Sequence, residues 1–131
     1  MIAHKLTIDH PFELEAGGVL PRLELVYHTS EGRAEGRRVV WICHALTANS
    51  DVEQWWPQMA GPGKFIDTQK DFVVCVNILG SPYGSSSPAS LNPSTGKPFL
   101  LDFPKVTIRD IVRSFNFVRN HLGINSIDLL V

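Results

Sequence analysis

Two apolar runs without alternation, VVWIC (Val39–Cys43) and FVVCVNIL (Phe72–Leu79), do most to restrict how this chain can fold. A strand with one wet face alternates apolar and polar residues. A run that does not alternate and is rich in Val and Ile suits a parallel strand covered on both faces. Two earlier segments, LTIDH (Leu6–His10) and LELVYHT (Leu23–Thr29), do alternate and read as half-buried antiparallel strands, with Gly17, Gly18 and Pro21 punctuating the link. EGRAEGRR (Glu31–Arg38) reads as a charged turn in a solvated hairpin. The expected order is two antiparallel-type strands, then strand, crossover, strand, helix, strand: an α/β fold with a mixed, mostly parallel sheet.

The clearest helix is VTIRDIVRSFNFVRNHLGI. Thr107 and Asp110 form a capping pair, with Asp where Glu is preferred. Ile108, Ile111, Val112, Phe115, Val118 and Leu122 recur at three- and four-residue steps and predict one apolar face. Gly123 stands where a left-handed cap belongs. Ile127–Val131 is then expected to be a third buried strand. In the first crossover, Trp55, Trp56 and Met59 suit a short helical or irregular piece against the sheet, and Gly61-Pro62-Gly63 ends it. Gly80–Pro104 holds five prolines and three glycines, which argues against regular structure. Its Tyr83, Leu91, Phe99, Leu100, Leu101 and Phe103 predict an ordered, packed loop.

Length and composition fit one globular domain: 131 residues, 44% hydrophobic and 19% charged. A net charge of −1 gives no reason to expect nucleic acid or an anionic membrane as partner. No apolar run approaches a membrane span, and MIAHKLTIDH carries no leader-like apolar core, so a cytoplasmic protein is expected. Cys43 and Cys75 each sit in an apolar run and are expected to be buried, reduced thiols.

Chemistry points to His44-Ala45-Leu46-Thr47, which directly follows a buried strand. Backbone N–H groups in such a turn face the crevice beyond the strand's C-terminal end, where α/β proteins place ligands. A free N–H there stabilises a developing oxyanion. The plainer alternative is a strand-to-loop turn with His44 bonded to backbone. Elsewhere the candidates are weak. Ser85, Ser86 and Ser87 have no evident base and suit a turn. His4, His10 and His28 lack metal-ligand spacing, so no metal is expected. Asp110 and Arg109 suit a structural helix start. Lys64 and Lys97 are solvated loop lysines unless their loops line an entrance for anionic phosphates.

CHALTANSDV (Cys43–Val52), Trp55-Trp56, GPGKFIDT (Gly61–Thr68), NILGSPYGSSSPASLNPSTGKPF (Asn77–Phe99), DFPKVTIRDIVR (Asp102–Arg113) and HLGI (His121–Ile124) occur in that order with little gap. In these motifs the chain resembles the homoserine O-acetyltransferase family, a branch of the α/β-hydrolase fold, over almost its whole length. The resemblance implies an N-terminal portion, residues 1–131, of a single α/β-hydrolase domain. It implies a seryl-acyl enzyme that moves an acetyl group from acetyl-CoA, a co-substrate rather than a bound cofactor, to the hydroxyl of L-homoserine in methionine biosynthesis. It implies that the backbone N–H of Leu46 is one oxyanion donor, and that Thr47, Ala48 and Asn49 line the acyl or acceptor pocket. A homodimer is implied for the full-length enzyme.

The family's Gly-Gly-Ser-x-Gly-Gly elbow would follow a strand like IDLLV, and the chain ends there, at Val131. Nucleophile, acid and base are therefore expected beyond residue 131, and residues 1–131 alone are expected to be inactive. Gly80-Ser81-Pro82-Tyr83-Gly84 has its serine in the wrong place for an elbow and opens no helix. His44 precedes the nucleophile position, so it is not the catalytic histidine. The rivals are a succinyl donor or serine acceptor, an esterase using water, and a non-catalytic binding module.

Overall fold

A computed structural model describes residues 1–131. In chain order the elements are β1 (Ile2–Ile8), β2 (Phe12–Glu13), β3 (Val19–Leu20), β4 (Leu23–Thr29), β5 (Val39–Ile42), α1 (Val52–Trp55), β6 (Phe72–Val76), β7 (Leu91–Asn92), β8 (Lys97–Pro98), α2 (Ile108–His121) and β9 (Leu129–Leu130). Five strands form one mixed sheet in the order β1-β4-β6-β5-β9. β1 pairs antiparallel with β4, β4 antiparallel with β6, and β5 runs parallel to both β6 and β9. This is the mixed, mostly parallel α/β arrangement expected from the two apolar runs.

The reason those runs do not alternate is visible in their packing. Val39 and Trp41 of β5, with Phe72, Val74 and Val76 of β6, face the side covered by α2. Val40 and Ile42, with Val73 and Cys75, face the side covered by Val52, Ala60 and Ile66, with Trp55 and Trp56 packed outside. Trp55 and Trp56 stack, with ring centroids 5.6 Å apart. On β4 the alternation is equally literal: Leu23, Leu25, Tyr27 and Thr29 are buried, and Glu24, Val26 and His28 half-buried.

Several expectations need correction. β1 begins at Ile2 and ends at Ile8, so His10 lies outside it and packs on Phe117. Glu31–Arg38 is not a hairpin turn, because β6 lies between β4 and β5. The segment passes the start of β6, where Arg37 donates to the carbonyls of Lys70, Thr68, Gln69, Asp71 and Glu31. Next to it, Arg38 meets the buried Asp71 carboxylate with two bonds, Nε–Oδ1 at 3.0 Å and Nη2–Oδ2 at 2.6 Å. Charge here anchors chain to chain instead of merely facing water.

Gly80–Pro104 carries more regular structure than expected, the β7–β8 pair and one 3-10 turn at Leu100–Asp102. Of its large side chains, Phe99 and Phe103 pack on the core as expected, edge to face with each other, whereas Tyr83, Leu91, Leu100 and Leu101 are exposed. The polar anchors are serines. β4 outruns β6, leaving Glu24 and Val26 without a strand partner on that side. Ser86 Oγ accepts the Glu24 N–H at 2.9 Å, and the Ser86 N–H returns to the Glu24 carbonyl at 2.8 Å. Ser85 Oγ accepts the Val26 N–H at 3.1 Å. Buried backbone donors must find partners, and hydroxyls replace the missing strand.

α2 starts with the expected capping box: Thr107 accepts the Asp110 N–H and the Asp110 side chain accepts the Thr107 N–H. Gly123 ends the helix at φ +66°. Ile111, Phe115, Val118 and Leu122 pack on the core, but Ile108 and Val112 are exposed, so the apolar face is narrower than the periodicity predicts. Ile127–Val131 is also corrected. Only Leu129–Leu130 is strand, paired parallel with β5, and within residues 1–131 Ile127, Leu130 and Val131 are exposed. Cys43 is exposed, just past the end of β5, whereas Cys75 is buried as expected. No helix is long and apolar enough to cross a membrane.

Candidate active site

β5 ends at Ile42, and residues 43–50 form the loop beyond its C-terminal edge. The loop contains one tight turn, in which the Ala48 N–H donates to the Ala45 carbonyl at 2.9 Å. Leu46 and Thr47 occupy its two central positions and are exposed, Leu46 almost fully at 92%. The Leu46 N–H makes no hydrogen bond within the chain. The N–H groups of Ala45, Thr47 and Asn49 are likewise without a partner, so this turn at the end of a buried parallel strand has free donors, Leu46 at its first central position among them, of the kind an oxyanion requires.

The other expected site residues divide. Thr47 is exposed beside Leu46, and Ala48 is half-exposed. Asn49 is half-exposed too, and its side chain is engaged: Oδ1 accepts the Asp51 N–H at 2.8 Å ahead of α1, and Nδ2 reaches Gln54 Oε1 at 3.4 Å. Its carbonyl accepts the Trp55 indole N–H at 2.8 Å. Asn49 therefore shapes the loop.

His44 is buried and bonded to backbone at both ring nitrogens: Nδ1 lies 2.9 Å from the Ala45 carbonyl, and Nε2 accepts the Ile78 N–H at 3.1 Å. Sequence reasoning did not single out Asn77 and Ser50. Asn77 Oδ1 accepts the Ser50 N–H at 2.7 Å, and Nδ2 donates to the Tyr83 carbonyl at 2.8 Å. The signal was available, since Asn77 is the one polar residue interrupting an apolar run, at the place where a parallel strand meets its crevice.

Ser50 Oγ lies 2.7 Å from His28 Nδ1, a serine–histidine contact of the kind nucleophiles use. Ser50 is fully buried, so no substrate carbonyl reaches it. Burial lowers the His28 pKa against an opposing pull from Asp51. The pair is structural. Ser85, Ser86 and Ser87 are buried, with the first two bonded to β4 backbone. Burial pushes the Cys75 thiol up to about 12, which removes it as a nucleophile. Lys64 and Lys97 are exposed. Residues 1–131 thus supply a turn with free backbone donors and no nucleophile–base pair that a substrate can meet.

No family model matches the chain. Among curated proteins, a homoserine O-acetyltransferase of Chlorobaculum parvum is 46% identical over 122 residues, covering 92% of this chain and 34% of that protein. A homoserine O-succinyltransferase of Halorhodospira halophila is 46% identical over 132 residues, covering 92% and 35%. The chain spans about a third of the length of these relatives. Among solved structures it matches homoserine O-acetyltransferase from Bacillus anthracis with TM-score 0.81 and 27% identity, over 98% of this chain and 39% of that one. Esterase E22 matches with TM-score 0.82 and 28% identity, over 98% and 40%. The ordered motifs, the strand order and these matches agree: the chain has the α/β-hydrolase fold and is similar, over almost its whole length, to about a third of the length of the homoserine O-acetyltransferases.

Proposed function

We propose that the protein carrying these residues transfers an acetyl group from acetyl-CoA to the side-chain hydroxyl of L-homoserine. The observation that carries the reading is the unclaimed Leu46 N–H on the turn beyond β5, in a chain 46% identical to a homoserine O-acetyltransferase. In the reaction the thioester C–S bond breaks and an ester C–O bond forms, and the hydroxyl proton ends on the CoA thiol. The transfer runs in two steps through a seryl ester, with the Leu46 N–H donating to the carbonyl oxygen as it becomes an oxyanion in each. The serine, its acid and its histidine belong to the remaining length of the protein. Thr47 and Ala48, beside the donor, face the acyl or acceptor group. The enzyme needs no bound cofactor, works in the cytoplasm as a homodimer, and serves methionine biosynthesis.

The similarity to a homoserine O-succinyltransferase keeps a succinyl donor as the second reading. The test uses the full-length gene product with acetyl-CoA or succinyl-CoA, and with L-homoserine, L-serine or water as acceptor. Free CoA and the ester product are followed by mass spectrometry. O-acetyl-homoserine as the dominant product supports the proposal. A succinyl ester replaces the donor assignment, and acetate released as fast with as without amino acid makes the protein an esterase.

A further inference from the structure

We propose that His44 is a positioning residue: as a neutral imidazole protonated on Nδ1, it locks the Ala45–Leu46 peptide so that the Leu46 N–H faces the crevice. The inference rests on the oxyanion reading of Leu46 and adds the device that aims it.

The tautomer follows from the partners. A backbone N–H only donates, so Nε2, 3.1 Å from the Ile78 nitrogen, must be the bare, accepting nitrogen. A doubly protonated ring has no acceptor to offer. The single proton of the neutral ring is therefore on Nδ1, which donates to the Ala45 carbonyl at 2.9 Å. That carbonyl also accepts the Ala48 N–H at 2.9 Å. Two donors thus converge on one oxygen.

The oxygen of Ala45 and the N–H of Leu46 are the two ends of one planar peptide unit, and the chain holds no cis peptide bond. In a trans peptide the C=O and N–H vectors point in opposite directions. Holding the carbonyl toward His44 and Ala48 therefore turns the Leu46 N–H away from both, where no protein acceptor meets it. A flipped peptide would break both bonds and put a carbonyl oxygen where the oxyanion forms. The ring is a firm anchor because it is only 5% exposed, so water does not compete for its bonds. Its far nitrogen is tied to Ile78, which follows β6, a strand buried along its whole length.

The test separates the two hydrogen bonds in the full-length gene product. His44→Gln presents a carbonyl oxygen to the Ile78 N–H but no donor near the Ala45 oxygen. His44→Asn keeps a donor near the Nδ1 position and gives up the acceptor. For His44→Gln, kcat is expected to fall about 10- to 100-fold with KM for both substrates little changed, the pattern of a misaimed transition-state donor. His44→Asn is expected to stay close to wild type. The 15N spectrum of the wild-type protein is expected to show an unprotonated His44 Nε2.

A backbone ester at Leu46, which replaces its N–H by oxygen, distinguishes the two ideas. If the ester leaves kcat unchanged, the oxyanion reading itself fails. If the ester slows kcat but His44→Gln does not, or if Nε2 carries the proton, the positioning role of His44 is overturned and the oxyanion reading stands.

Discussion

Asn77 Oδ1 accepts the backbone N–H of Ser50 at 2.7 Å, which ties the end of the loop after β5 to the residue that follows β6. The same side chain donates to the Tyr83 carbonyl at 2.8 Å, and the Asn77 backbone N–H reaches Val26 at 2.9 Å. One nearly inaccessible amide thus joins three segments around the crevice.

Asn77→Leu leaves the buried Ser50 N–H without a partner and removes the donor from the carbonyl of Tyr83, an exposed residue whose oxygen water can reach. The unsatisfied buried donor costs about 1–3 kcal/mol. Urea unfolding of the full-length protein should show the loss, and Asn77→Asp, which keeps the acceptor for Ser50, should lose less.

Gly84 sits at φ +97°, and a Cβ added there would stand 2.8 Å from Val26 Cγ2. Val26 belongs to β4 and cannot retreat without disturbing the serine anchors beside it. Gly84→Ala is expected to cost about 1–3 kcal/mol from strain and overlap together, read as a lower thermal midpoint.

Asp110 gives the fold an acid-sensitive joint. Burial pushes its pKa up, but the N–H groups of Thr107 and Glu15, the Thr107 hydroxyl and Arg113 outweigh burial and hold it below the ordinary 3.8. A folded-state pKa below the unfolded one means that the unfolded chain binds the proton first. The contribution is therefore complete above 3.8 and is lost as pH falls through the lower folded-state value. Asp110→Asn should flatten the acid limb of the stability–pH curve, measured by unfolding at a series of pH values.

The two thiols should differ in reactivity. Cys43 is exposed and Cys75 is buried, with its pKa pushed up to about 12. An aromatic disulfide reagent at neutral pH should modify Cys43 in the native chain and reach Cys75 only after denaturant is added. Equal rates for the two would contradict the packing of β6.

Much of the scaffold was legible because its signals are local. The unbroken runs of β5 and β6 announced two covered faces, the alternation of Leu23–Thr29 announced β4 to the residue, and Thr107, Asp110 and Gly123 marked both ends of α2. The HALT turn could be placed because it follows a strand. Where the reading failed, the missing information was spatial. Ile108 and Val112 keep the helical period of their neighbours, yet nothing in the chain covers them. The serines of the long loop looked like turn formers, and their strand-replacing role depends on β4 outrunning β6.

The amino-acid sequence by itself determined where β4, β5, β6 and α2 lie, where α2 begins and ends, and which family the motifs resemble. Periodicity, capping and turn chemistry act over a few residues. Tertiary structure alone decided which polar groups meet: Ser86 with Glu24 across 62 residues, Ser85 with Val26 across 59, Asn77 with Ser50 across 27, and His44 with Ile78 across 34. Those pairings depend on the strand order, which brings β6 between β4 and β5. They leave the Leu46 N–H, like those of Ala45, Thr47 and Asn49, without a partner in the loop after β5.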